Sequence, residues 1–283
     1  MSQLVYVNGT YFPKEEATIS VFDRGFLFGD GIYEVVPVVN GKLVDKANFW
    51  ERLDRSLREI KLTWSCSKEE ILEILETLIA KNELSEGGVY LQVTRGIAER
   101  DFAFPKDTPP SFMAFTFAKS FINHPKIAGV EVVSVEDIRW KRRDVKSISL
   151  LGQCLSKDEV VQKGAFEGWM VEDGFVTEGT SSTAYIVKDG TLITRPLSND
   201  ILPGIRRKVI LEFCANEGIK VEERPFSIAE ALKADEAFMS SATIVLLPII
   251  KLDGQPIGTG KPGVITMKLR DKYVKALKEE AGL

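Results

Sequence analysis

Two α+β domains are predicted for this chain of 283 residues, on three observations. Alternating apolar and polar residues flank Asn-Gly and Asp-Gly pairs in both halves, as β-hairpins do. Among the hairpins lie segments whose apolar residues fall three and four apart, the period of a helix packed on one face. One aperiodic stretch, KSFINHPKIAG at 119–129, carries Pro125 and Gly129 and reads as an interdomain linker. It separates a small N-terminal domain, 1–118, from a larger C-terminal one, 130–283, that carries Lys146.

The opening LVYVNGTYF and then IYEVVPVVNGKLV turn at Asn8-Gly9 and Asn40-Gly41. In NFWERLDRSLREI, Phe49, Leu53, Leu57 and Ile60 share one helical face. Ser67 and Glu70 form a capping box that opens a second helix through EEILEILETLIAKNEL. GVYLQVTRG and SFMAFTFA follow as strands. Past the linker, VEVVSVED is a strand and LLGQCLSKDEVVQKG a helix that stops at Gly164. GWMVEDGFVTEG and AYIVKDGTLITR are hairpins, turning at Asp173-Gly174 and Asp189-Gly190. A helix starts after LPG and stops at Gly218; Ser227 and Glu230 form another capping box. EAFMSSATIVLLPI reads as one buried strand with a polar interruption, and an amphipathic helix after Gly263 closes the chain.

Composition narrows the function. A formal net charge of -4, with no long basic run, argues against nucleic acid. No apolar run reaches the length of a membrane span, and the first residues lack the pattern of an export signal. Cys66, Cys154 and Cys214 are far apart, suit a reducing cytoplasm and offer no metal or disulfide framework. His124 is the only histidine, so histidine triads and multi-histidine metal sites are excluded. Any proton chemistry rests on lysine, carboxylate, tyrosine or a cofactor.

Three places break the local rules. In DIRWKRRDVKSISLLGQ, Lys146 stands at the threshold of an apolar segment behind the cations 141–143; such a lysine is either a solvated surface group or a reactive amine. VTEGTSST sets Glu178 between a strand end and a cluster of glycine and hydroxyl residues. ILPGIRR and MSSAT each offer backbone N–H groups to an anion, with Arg52 or Arg206 to complete a phosphate cup. An amine, a carboxylate and a phosphate cup are what pyridoxal phosphate requires, although spacing alone does not single it out.

In order and spacing, FDRGFLFGDGIYE, VTRGIAERDF, DIRWKRRDVKSISLLGQ, VTEGTSS, ILPGIRR and FMSSATIVLLPI resemble the class IV, or fold type IV, aminotransferases along essentially the whole chain. Among them the chain looks most like D-amino-acid transaminase; branched-chain L-amino-acid transaminase and aminodeoxychorismate lyase are the alternatives. The resemblance implies a two-domain α+β fold with pyridoxal 5′-phosphate between the domains, and a cytoplasmic homodimer whose loops close the partner's site. Lys146 matches the Schiff-base lysine and proton shuttle, and Glu178 the partner of the pyridine nitrogen. Arg52, Ile205, Arg206, Ser241 and Ala242 match phosphate contacts, and Leu202 packs on the ring. Tyr33, Val35, Arg100, Phe102, Thr180 and Ser181 fall on the substrate side. The implied reaction is a ping-pong transfer from a small amino donor to a 2-oxo acid, 2-oxoglutarate or pyruvate. The family's carboxylate-binding histidine, two positions after the arginine, is replaced here by Phe102, with Asp101 beside it. A hydrocarbon ring donates no hydrogen bond, and losing one charge-assisted donor costs about 1.5 to 3 kcal/mol. Phe102 also suggests a side activity on primary (R)-amines.

Overall fold

The computed structural model describes residues 2–283, and the chain divides into two compact units. The first runs up to Lys119 and also takes in Val145–Ser149 and Leu277–Leu283; the second comprises Ser120–Asp144 and Leu150–Ala276.

The first unit is built on β1 (Leu4–Val7), β2 (Thr10–Pro13), α1 (Arg24–Phe28), β3 (Gly31–Val39), β4 (Lys42–Leu43), α2 (Lys46–Glu59), α3 (Lys68–Lys81), β5 (Glu86–Thr94) and β6 (Ser111–Ala118). Its six strands pair antiparallel in the order β2-β1-β6-β5-β3-β4. The Asn8-Gly9 and Asn40-Gly41 pairs all adopt positive φ, the backbone that a two-residue hairpin turn requires. Ser67 and Glu70 cap α3 reciprocally. Phe49 and Leu53 of α2, and Ile71, Leu75, Leu78 and Ile79 of α3, are buried where the helices pack on β3, β1 and β6. Along β3, Ile32, Glu34 and Val36 are buried while Tyr33 and Val35 are half-buried; the pleat sends the two sets to opposite faces.

The sequence reading puts Lys146 in the C-terminal domain, but its segment clusters with the first unit. The reason is main-chain pairing with the start of β3. The Tyr33 N–H donates to the Lys146 carbonyl at 3.0 Å, and the Ile148 N–H to the Gly31 carbonyl at 3.2 Å.

The second unit contains β7 (Val130–Glu136), α4 (Leu151–Gln162), β8 (Glu167–Glu172), β9 (Phe175–Gly179), β10 (Thr183–Lys188), β11 (Thr191–Thr194), α5 (Ile205–Asn216), β12 (Val221–Glu223), α6 (Ile228–Ala231), β13 (Glu236–Ser241), β14 (Val245–Leu252), β15 (Gln255–Pro256) and α7 (Val264–Ala281). The sheet runs β12-β11-β10-β13-β14-β7-β8-β9, with β15 on β14. Its β14–β7, β7–β8 and β11–β12 pairs are parallel. A parallel pair needs a crossover, which α4 provides between β7 and β8. Trp169, Phe226, Met239, Leu247 and Ile249 centre the core. Among the described residues, no helix is long and apolar enough to cross a membrane.

In the stretch 119–129, where the two units divide, Phe121, Ile122 and His124 are buried, and the Lys126 N–H donates to His124 Nδ1. Two local expectations are revised. At Ser227 the hydroxyl accepts from the Glu230 N–H, but the Glu230 carboxylate turns to Arg224, so only half a capping box forms. EAFMSSATIVLLPI is two antiparallel strands, β13 and β14. The chain reverses where the Ile244 N–H meets the Ser241 carbonyl, and Val245 takes a positive φ of 56°.

Packing of α4 on β8 depends on Gly168, where an added Cβ would stand 2.3 Å from Val160 Cγ2. Gly168→Ala is expected to cost about 1–3 kcal/mol by overpacking, and Val160→Ala in the same chain to return much of it. Urea denaturation of the two single variants and the double variant checks this; additive losses would contradict it.

Candidate active site

In the first unit, β3 and the segment paired to it bring Lys146 and Tyr33 together. Lys146 Nζ lies 3.9 Å from the centroid of the Tyr33 ring, a cation–π distance. Tyr33 stacks on Tyr90, and Tyr90 on Phe115. The Tyr90 hydroxyl donates to Gln92 Oε1 at 2.8 Å, and burial pushes its phenol up from the ordinary value. The cations that precede Lys146 are all matched by acids: Lys141 and Arg143 by Glu172, and Arg142 by Asp144. Lys146 itself has no carboxylate partner among the described residues. Val35 shares the Tyr33 face of β3.

On the opposite face, fully buried Glu34 accepts from Arg52 Nε at 2.7 Å and from Nη2 at 2.6 Å. This bidentate pairing fixes the guanidinium in α2, and Nη1 is the end it leaves for an anion.

Arg100 and Phe102 meet each other rather than Tyr33. The Arg100 guanidinium lies 5.4 Å from the Phe102 centroid and 5.5 Å from that of Phe28, and the Phe102 side chain is 77% exposed. Their loop is tied down from behind. Asp30 accepts from both Arg24 and Arg95, Arg24 Nη1 donates to the Asp101 carbonyl at 2.6 Å, and Arg95 stacks on Phe104 at 3.6 Å. Among the described residues, no hydrogen bond, ion pair or ring contact joins Arg100 to Tyr33 or Lys146.

In the second unit, Glu178 ends β9, buried to 6% exposure. Its Oε1 accepts from Arg139 Nη1 and its Oε2 from the Leu202 N–H at 3.2 Å. Burial pushes the carboxyl up from its ordinary value, while Arg139 and the Leu202 N–H pull it down. The remaining Arg139 donors, Nε and Nη2, hold Asp137 at 2.9 and 2.7 Å. Thr177 Oγ1 donates to Asp137 at 2.6 Å, and Arg143 stands 3.2 Å from it. For Asp137, burial works upward, yet Arg139, Thr177 and Arg143 outweigh it and hold the carboxyl low. Sequence reading missed Asp137, Arg139 and Thr177; their signal was charge in segments otherwise read as strand ends.

Leu202 precedes α5, whose first turn carries Ile205 and Arg206. Arg206 Nη2 donates to the Ala242 carbonyl at 2.9 Å, so α5 is joined to the β13–β14 turn that holds Ser241 and Ala242. Thr180 and Ser181 differ from expectation in their occupancy. Both hydroxyls, with that of Ser182, donate to the buried carboxylate of Glu167, which sequence reading did not single out.

The structure thus groups Lys146 with Tyr33, Glu178 with Leu202, Arg206 with Ala242, and Arg100 with Phe102. The amino-transferase class IV family model matches residues 31–252, and the chain belongs to the class IV aminotransferases. D-alanine aminotransferase of Staphylococcus aureus (strain N315) is 40% identical over 278 residues, 98% of this chain and 99% of that one. The Bacillus licheniformis D-alanine aminotransferase is 36% identical over 276 residues, 98% of each chain. In fold, the chain is similar to the branched-chain aminotransferase of the archaeon Thermoproteus uzoniensis, solved with norvaline. That likeness has a TM-score of 0.88 at 24% identity and covers 99% of this chain and 97% of that one.

The acid network gives a pH dependence. Hydrogen bonds from Arg143 and Lys141 hold the Glu172 carboxyl down at about 2, against an ordinary 4.5. A carboxyl lowered by folding contributes stability above its unfolded value and loses it as pH falls toward the folded one. Glu172→Gln is therefore expected to be less stable than the parent at pH 7. The gap should close as pH falls from 4.5 to about 2, as read by urea denaturation at stepped pH. A gap that stayed constant would rule out this linkage.

Proposed function

We propose that the protein is a pyridoxal 5′-phosphate-dependent aminotransferase that moves the amino group of a D-amino acid to a 2-oxo acid. The observation that carries this reading is Lys146 Nζ, held over the Tyr33 ring by main-chain pairing to β3 and matched by no acid among the described residues. The full-length likeness to D-alanine aminotransferases supports a D-amino acid as the donor. The likeness to a branched-chain enzyme stands at 24% identity and supports the fold alone.

The residues present fit the cofactor. Each oxygen of Glu178 accepts one hydrogen bond, from Arg139 or from Leu202, and keeps a lone pair for a ring N–H. The first turn of α5 and the Ser241–Ala242 turn offer main-chain N–H groups, and Arg52 offers Nη1, to a phosphate. When bound, the cofactor supplies an aldehyde that condenses with amines and a ring that draws off the electron pair released at the substrate α-carbon. Lys146 would be the amine that holds the aldehyde, and its Nζ would take the proton from the substrate α-carbon and hand it on. Glu178 keeps the ring nitrogen protonated, and the Leu202 N–H orients the carboxylate for it. Tyr33 fixes where Lys146 Nζ stands, and Val35 beside it shapes the substrate side. Arg100 receives the substrate carboxylate. Phe102, in the place of a second donor, makes that recognition more apolar.

A homodimer in the cytoplasm belongs to the same reading. Phe22 and Phe26 on one segment, and Ile97, Phe102 and Phe104 on another, are all exposed, and an Asp23–Ile97 bridge joins the segments. A contiguous exposed apolar surface of this kind calls for a cover, here a second copy of the chain. All three cysteines are free, as suits a reducing compartment.

Borohydride reduction followed by peptide mapping is expected to find the cofactor on Lys146; a label on another lysine would defeat the reading. Lys146→Ala is expected to lower transamination by about 10²- to 10⁴-fold, the usual contribution of a positioned acid–base group. A donor panel of D-alanine, D-glutamate, L-leucine and (R)-1-phenylethylamine is expected to favour the D-amino acids, with a slow rate on the aryl amine. Preference for L-leucine would overturn the substrate assignment.

A further inference from the structure

Arg270 is among the largest fully buried side chains, at 1% exposure. Several other buried arginines of this chain meet carboxylates, as Arg52 meets Glu34 and Arg139 meets Asp137. Arg270 does not. Its hydrogen bonds all go to main-chain carbonyls: Nη1 to Leu246 at 2.6 Å and Ile244 at 3.3 Å, and Nη2 to Ile122 at 2.8 Å and Phe121 at 3.0 Å. Among the described residues, no carboxylate forms an ion pair with it. A guanidinium removed from water with no paired carboxylate is costly; Asp271, next to it in α7, acts on it only through space, so retention of Arg270 points to a task.

Two of the four carbonyls locate that task. Ile244 and Leu246 flank Val245, which is fully buried and has a φ of 56°. A β-branched residue in the left-handed region is a genuine outlier, held only where its surroundings over-determine it. The same Nη1 grips the carbonyl on either side of it. Two further carbonyls of the turn are also engaged: Ser241 accepts from the Ile244 N–H and Ala242 from Arg206 Nη2. The helix that carries Arg270 is itself fixed to β13. Glu236, at the first residue of β13, accepts from the Ile265 N–H, the Thr266 N–H and Thr266 Oγ1 at the start of α7. On the same face of α7, Tyr273 packs under the Arg206 guanidinium at 4.7 Å. With these carbonyls tied back, the Ser241–Ala242 end of the turn is the part that can present N–H groups.

We propose that Arg270 is a positioning residue for an anion-binding turn: it clamps the carbonyls around Val245, holds the left-handed turn shut, and places a buried positive charge behind N–H groups that receive a phosphate monoester. This rests on the assignment of Ser241 and Ala242 as phosphate contacts above. It adds a dependence on α7, which those contacts alone do not contain. Val245 is the second half of the device, because glycine at that position would adopt the same φ without strain.

The test compares pyridoxal 5′-phosphate with pyridoxal, which lacks the phosphate, on full-length apoprotein. Binding is followed by visible absorbance, with the melting temperature recorded with and without inorganic phosphate. Arg270→Gln is expected to weaken pyridoxal 5′-phosphate by about tenfold or more, the equivalent of one charge-assisted contact. It should leave pyridoxal affinity unchanged and abolish the rise in melting temperature that phosphate gives the parent. Arg270→Lys, which keeps the charge, should recover part of the loss. Val245→Gly with Arg270→Gln should bind the phosphorylated ligand more tightly than Arg270→Gln alone, a non-additive pair. A purely structural arginine would lower stability in all ligand states and move both ligands alike; that result overturns the proposal. So does an unchanged ratio of the two affinities in Arg270→Gln while Lys146 still carries the cofactor, and that outcome leaves the proposed activity standing. If the parent binds neither pyridoxal 5′-phosphate nor phosphate, the reading and the inference fall together.

Discussion

A carboxylate taken out of water needs donors held beside it, and the second unit answers that demand at Glu178 with a chain of alternating charges. Burial drives the Glu178 carboxyl upward, and the net direction stays upward even with Arg139 and the Leu202 N–H pulling it down. Arg139 answers with one end of its fork, but a lone arginine there would be a buried charge in its turn. Asp137 takes the other two donors, Thr177 and Arg143 steady Asp137, and Glu172 at the rim takes the rest of Arg143. Charges alternate in sign from the buried end to the solvent, so no member stands uncompensated. Such a chain is worth more as a positioning device than as a source of stability, since buried ion pairs often only break even against apolar packing.

The first unit solves a different problem. Lys146 has to be free of acids yet fixed in place, so its position is set by backbone rather than by a salt bridge. Pairing with Gly31 and Tyr33 carries the segment 145–149 onto β3, and the pleat of β3 then decides which side chains it meets. A one-residue slip would bring Glu34, not Tyr33, to face the amine. The nine-residue ladder between β3 and β5, from Gly31–Thr94 to Val39–Glu86, guards against that slip.

Features with a local cause were legible in the sequence. The Asn-Gly and Asp-Gly turns, the Ser67 capping box and the stops at Gly164 and Gly218 each depend on residues within one turn of chain. Lys146 and Glu178 were legible as motif residues. What escaped was set by contacts distant in sequence. The cations at 141–143 looked like the neighbours of a tuned lysine, but Glu172, some thirty positions on, binds two of them. Thr180 and Ser181 looked free for substrate until Glu167 closed on their hydroxyls. The reversal at Ala242–Ile244 carries no Gly, Pro, Asn or Asp, the usual signs of a turn. Its conformation is imposed by Arg206 and Arg270 from other helices, so no local pattern could announce it.

Arg52 and Arg270 differ in their charge balance. Arg52 arrives already neutralised by Glu34 and contributes direction. Arg270 donates to dipoles alone and contributes positive charge as well as shape. A left-handed non-glycine residue costs on the order of 1–3 kcal/mol, and the buried cation adds to that in the empty protein. A ligand present at a hundred times its dissociation constant returns about 2.7 kcal/mol, enough to offset the strain of the turn. On the proposed reading, a bound dianion would relieve both the strained turn and the buried charge behind it. Occupancy of the phosphate cup and firmness of the C-terminal helix are on this account one equilibrium, because the residue that shapes the cup is a residue of that helix.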